Sequence, residues 1–145
     1  MDFVSVGGDK RMAFMRRYLT EHGFTDQSDI FQKTGEFHAS VLILPVPAFT
    51  SEGKVNTASE LDGERLLSLS PEILIGGMLP LSFRRSCAAK GVKAFNITDR
   101  DDYAVLNAIP TAEAAIMIAL EELPVTLWQN EVLVTGYGRV ARVLC

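Results

Sequence analysis

Hydrophobic and polar positions along the chain fall into two alternating kinds of segment. Continuous apolar or β-rich runs occupy 3–6, 40–44, 72–75 and 92–96. They have the length of strands, and the run at 40–44 reads as one buried on both faces. The intervening segments carry a helical period. Over 10–22, Met12, Met15 and Leu19 recur at helical spacing, while Lys10, Arg11, Arg16, Arg17 and Glu21 take the opposite face. Gly23 stands where that helix ends. A shorter helix is expected over 81–90, closed by Gly91, and another from Asp99 as N-cap through Tyr103 and Leu106. Strands alternating with helices predict an α/β fold, a parallel sheet with helices on both faces.

Turn residues punctuate the strand ends: Gly7-Gly8-Asp9, Pro45-Val46-Pro47 and Gly76-Gly77. In parallel sheets the ligand crevice lies beyond the carboxyl ends of the strands, so these three turns are expected on one rim. Residues 49–70 read as a loop, with room for a short helix over 60–69. The pattern changes at Asn107-Ala-Ile-Pro-Thr-Ala-Glu113. Pro110 suits the first turn of a helix, where its missing N–H costs nothing. The helix expected over 109–123 is almost wholly apolar and should be buried on most sides. Pro124 ends it, and a connector over 125–130 leads to an expected strand at 131–135. These marks place a domain over 1–124, including the helix at 109–123, and the start of a second over 125–145.

Composition narrows the function classes. The chain has 145 residues, 48% of them hydrophobic and 22% charged, which is a globular balance. A formal net charge of −4 offers no basic field for a phosphate backbone, so nucleic acid is not expected as a partner. The longest apolar stretch inside an expected helix, 114–120, is far short of a membrane span, and no signal-peptide pattern opens the chain. The expectation is a soluble cytoplasmic protein without a membrane partner. Two cysteines, Cys87 and Cys145, are too few for a disulfide framework.

The chemistry concentrates in three places. An apolar strand runs into Gly136-x-Gly138-x-x-Ala141, the pattern of a dinucleotide-binding turn. There Gly136 permits the tight turn, Gly138 lets backbone approach a pyrophosphate and Ala141 allows close packing, with Arg139 in reach of a phosphate. In Gly7-Gly8-Asp9-Lys10-Arg11, the Gly8 and Asp9 amides and the Arg11 fork suit a carboxylate; equally, Asp9 is a helix cap. Asn107, Thr111 and Glu113 face a ligand cleft in one reading and cap or complement a helix N-terminus in the other. His22 and His38 lack neighbours at ligand spacing, so no metal is expected.

From Asn107 onward the wording, with Val132-Leu-Val-Thr-Gly-Tyr-Gly-Arg139, closely resembles the A subunit of dipicolinate synthase. Ala114 stands where that family has glycine. The resemblance implies a flavodoxin-like N-terminal domain facing a Rossmann domain that binds NADP or NAD. It also implies formation of dipicolinate from a dihydrodipicolinate-type precursor during sporulation, together with a flavoprotein-like partner, the B subunit of the synthase. On that basis the chain reads as the N-terminal domain plus the first strand and turn of the second, inactive as a dehydrogenase and not expected to hold the NADP or NAD of the full-length relative by itself. The small dicarboxylate substrate is assigned Gly8, Asp9, Arg11, Asn107, Thr111 and Glu113, and the cofactor Gly136, Gly138, Arg139 and Ala141. The rival is a non-catalytic ligand-binding or subunit-interaction module of the same fold. The apolar strand around Val132 to Val134 predicts pairing with a second copy, a homodimer.

Overall fold

The structure is a computed structural model that describes residues 1–57 and 61–145. The chain divides into two compact units, 1–97 and 98–145. The long apolar helix thus groups with the C-terminal unit, whereas the pattern along the sequence joins it to the N-terminal one.

The first unit is built on a five-stranded sheet. Its elements are β1 (Asp2–Ser5), α1 (Lys10–Glu21), β2 (Thr25–Asp26), α2 (Ser28–Thr34), β3 (Val41–Ile43), α3 (Gly63–Ser68), β4 (Ile73–Gly76), α4 (Leu81–Ala89) and β5 (Lys93–Asn96). The strand order is β2-β1-β3-β4-β5, and every pair is parallel. The register sets Ser5 beside Ile43, Ile43 beside Ile75 and Ile75 beside Phe95. Alternation splits the strand residues between two apolar layers. Val4, Leu42 and Leu74 point to one face, where Phe31 of α2, Leu66 of α3 and Cys87 of α4 close a large core. Phe3, Val41 and Ile43 point to the other, against Met12, Met15 and Leu19 of α1. The expected α/β sheet with helices on both faces is therefore present.

The region between α1 and β3 carries no long period, and the structure fills it with β2 and α2. β2 has two residues, too few for alternation to show. Its brevity is offset by Ser28, which is fully buried. The Ser5 amide donates to Ser28 Oγ at 2.8 Å, so a side chain continues the ladder where β2 stops. Ser28 Oγ in turn donates to Asp26 Oδ1 at 2.5 Å, and Arg16 Nε donates to Asp26 Oδ2 at 2.6 Å. Burial pushes the Asp26 carboxyl up, but hydrogen bonds from Ser28 and then Arg16 outweigh it and hold the group below its ordinary value.

The second unit holds α5 (Asp101–Glu122) and α6 (Arg139–Leu144), which pack on each other. Several expectations are corrected here. A single helix replaces the expected pair, with Pro110 in its interior. Asn107, Thr111 and Glu113 are therefore mid-helix and cap nothing. The Thr111 hydroxyl instead donates to the Asn107 carbonyl at 2.7 Å, a local bond next to the gap that proline leaves in the helical ladder. Asp99 lies in a 3-10 turn, and the residue before the first turn of α5 is Arg100. The helix is also not buried on most sides: only Ala108 and Ala112 are, since α6 covers a narrow stripe. By length and composition alone α5 could cross a membrane, a test that single helices of soluble proteins also pass. The expected strand at 131–135 does not form. A strand exists through its ladder, and among the described residues no neighbour pairs with this segment. The loop over 49–57 is closed by an isolated bridge from Phe49 to Val55, and position 60, the start of the optional helix, lies outside the described residues.

Candidate functional site

Two places carry the residues singled out in the sequence, one in each unit. In the first unit the chain runs from β1 out to β2 and returns to β3 on the other side of β1. Such a reversal marks where a ligand crevice is expected in a sheet of this kind, at the carboxyl ends of β1 and β3. Gly7-Gly8-Asp9 leaves β1 and Pro45-Val46-Pro47 leaves β3, with a cis bond between Val46 and Pro47. Gly76-Gly77 closes β4 beside them, and the Ala48 amide donates to the Gly77 carbonyl at 2.9 Å. The three turns share one rim, as the strand pattern requires.

Arg11 ties this rim together. Its Nε donates to Asp9 Oδ2 at 2.9 Å and to Oδ1 at 3.1 Å, and its Nη2 reaches the Val46 carbonyl at 3.3 Å. Asp9 also caps α1, accepting from the Arg11 amide at 2.9 Å. Hydrogen bonds from the Arg11 side chain, then its amide, hold the Asp9 carboxyl below the usual carboxylate range. The cap and the cation are thus one assembly, and a carboxylate ligand at Arg11 competes with Asp9. Gly8 makes the assembly possible. Its φ is +92°, and a Cβ there would lie 2.1 Å from Met12 Cγ. Gly8→Ala is expected to lower stability by at least about 1 kcal/mol in urea unfolding, because backbone strain adds to the displacement of Met12.

In the second unit a cleft of about 530 Å3 lies between α5 and the glycine turn. Tyr103, Ala104 and Asn107 line it from α5; Thr135, Gly136 and Gly138 from the turn; Arg139, Val140 and Ala141 from α6; Thr98 completes the wall. All four residues assigned to a cofactor thus meet in one place, together with Asn107. Gly136 has a φ of +105°, and neither it nor Gly138 has any atom within 4 Å of a Cβ position, so the backbone of the turn is open to approach. Arg139 Nη2 is held by Asp101 Oδ1 at the start of α5. Next to it, Arg100 pairs with Asp102 at 2.6 Å. That hydrogen bond, then one from the Tyr103 amide, holds the Asp102 carboxyl at about 2.

The six residues assigned to the substrate divide between the units: Gly8, Asp9 and Arg11 in the first, Asn107, Thr111 and Glu113 in the second. Of the latter three only Asn107 lines the cleft. Tyr103, Ala104 and Thr98 carry no motif that marks them as site residues in the sequence, whereas Thr135 directly precedes the glycine turn within the stretch from Val132 to Arg139. Tyr103 and Ala104 precede Asn107 by four and three residues, so helical spacing from Asn107 is the signal that points to them.

No family model matches the sequence. Among curated proteins the chain is 29% identical to the dipicolinate synthase A subunit of Bacillus subtilis (strain 168) over 160 aligned residues, covering 96% of this chain and 54% of that protein. Two crystal structures are similar. The dipicolinate synthase A subunit from Bacillus halodurans superposes with a TM-score of 0.79 at 23% identity, over 99% of this chain and 56% of that one. The corresponding polypeptide of dipicolinate synthase from Bacillus subtilis superposes with a TM-score of 0.74 at 26% identity, over 99% and 55%. The chain spans about half the length of the relatives it matches.

Proposed function

We infer that this chain, which resembles the N-terminal half of the dipicolinate synthase A subunit in sequence and fold, is the substrate-side portion of an NAD(P)-dependent oxidoreductase of that kind. The observation that carries the reading is the cleft, where Asn107 of the family-like segment meets the glycine turn and Arg139. Its residues fit the phosphate end of a dinucleotide: open glycine backbone, one guanidinium, and hydroxyl or amide groups from Tyr103, Asn107 and Thr135. When bound, the nicotinamide supplies hydride transfer, and the protein supplies position and electrostatics. The small dicarboxylate is assigned to the rim of the first unit, where Arg11 offers a planar fork and the Gly8 and Asp9 backbone lies at a helix start. Thr111 is withdrawn from that role, since its hydroxyl is engaged by the Asn107 carbonyl. A cytoplasmic location, participation in sporulation and a flavoprotein partner like the B subunit of that synthase belong to the same proposal.

The test is a thermal-shift titration with dipicolinate. At a hundredfold excess over Kd, mass action adds about 2.7 kcal/mol, an upward shift of several degrees. That shift is expected to disappear in Arg11→Ala. Stabilisation by a partner protein alone, with none from dipicolinate, favours the interaction-module reading. NADPH-linked turnover by the purified chain is expected to be absent.

A further inference from the structure

We propose that the ion pair between Asp101 and Arg139 is a displaceable latch: the Asp101 carboxylate holds the guanidinium until a phosphate group of the ligand takes its place. The proposal rests on the reading of the cleft as a phosphate site and adds how that site is regulated.

Several observations converge on it. Among the described residues Arg139 is the one cation that lines the cleft, and Asp101 is not part of that lining. The two are 38 positions apart, so the contact is made by the packing of α6 on α5 and not by local sequence. The neighbouring Asp102 does not compete for the guanidinium, because it is paired with Arg100 through both carboxylate oxygens. A planar guanidinium presents the same fork to a carboxylate and to a phosphate, so one anion substitutes for the other without moving the helix. The exchange is also accessible. The Asp101 side chain is 87% exposed and that of Arg139 54%, so the carboxylate can swing into water as the phosphate arrives. An exposed pair is weakly held, which makes the exchange easy. Phosphate is favoured over a second carboxylate by the rest of the wall. A pyrophosphate brings at least four terminal acceptor oxygens against a carboxylate's two, and Tyr103, Asn107 and Thr135, whose side chains carry donors, line that wall.

A purely structural pair makes the opposite prediction. If the contact only staples α6 to α5, removing the carboxylate loosens the cleft and weakens ligand binding. If it is a latch, removal frees the cation and tightens binding.

The probe is inorganic pyrophosphate, titrated calorimetrically into the purified chain at low ionic strength. Asp101→Asn is expected to tighten binding about two- to fivefold, the span of exposed ion pairs. Arg139→Gln is expected to weaken it about tenfold or more. Far-UV circular dichroism checks that each variant keeps its helices. Should Asp101→Asn disturb the first turn of α5, Asp101→Ser carries the same expectation. Unchanged or weaker binding in the Asp101 variants, with loss in Arg139→Gln, overturns the latch while the phosphate site stands. Unchanged binding in Arg139→Gln removes the site reading and the latch with it.

Discussion

Shortening Leu42 to alanine should cost the first unit about 2–5 kcal/mol. Leu42 is fully buried in β3, the middle strand of five, on the face covered by α2, α3 and α4. The truncation removes buried methyl groups and leaves a cavity that the surrounding strands cannot close. Two parallel neighbours, β1 and β4, fix the backbone on either side. Urea unfolding followed by circular dichroism should show a lower midpoint at unchanged slope. A cost below about 1 kcal/mol would mean that the core relaxes around the deletion, contrary to the packing described above.

Replacing Ser28 by alanine is expected to cost about 1–3 kcal/mol, although it removes a single oxygen. The Ser5 amide would then be buried without an acceptor, next to a Ser5 hydroxyl that has no partner among the described residues. Asp26 would lose the donor at 2.5 Å and keep the Ser28 amide and Arg16. The pH dependence is a second readout. The folded-state pKa of Asp26 lies below its ordinary value of 3.8, so its contribution is present above that value and lost as pH falls through the folded one. In the variant the folded value moves back towards 3.8, and this acid-dependent loss of stability shrinks. Equal stability of variant and parent at neutral pH would show that water replaces the hydroxyl.

What was legible in the sequence follows from the physics of each element. β1, β3, β4 and β5 were visible because a strand in a parallel sheet shows as a run of apolar or β-rich residues, and α1 because one face of it is charged. β2 and α2 were not, because a two-residue strand has no period and its hydrogen bonding is completed by Ser28. The segment at 131–135 has a strand's composition without a strand's ladder, which composition cannot reveal. Pro110 misled for a related reason: proline is favoured in a first turn, but packing on α6 holds α5 continuous across it. In the cleft, the glycine turn and Asn107 were legible as motifs. The partnership of Arg139 with Asp101 was not, because it depends on how two helices meet.

The shortness of β2 has a consequence for self-association. A sheet edge is a template on which another chain can add a strand, and the number of free backbone groups sets how well it binds. At β2 that edge is two residues long, one of them the charged Asp26, which is paired with Arg16, itself also paired with Asp29. At the opposite edge β5 begins with Lys93, a residue type that discourages such addition. Both ends of the first unit's sheet are thus poor templates, and edge-to-edge growth of that sheet is disfavoured from either side.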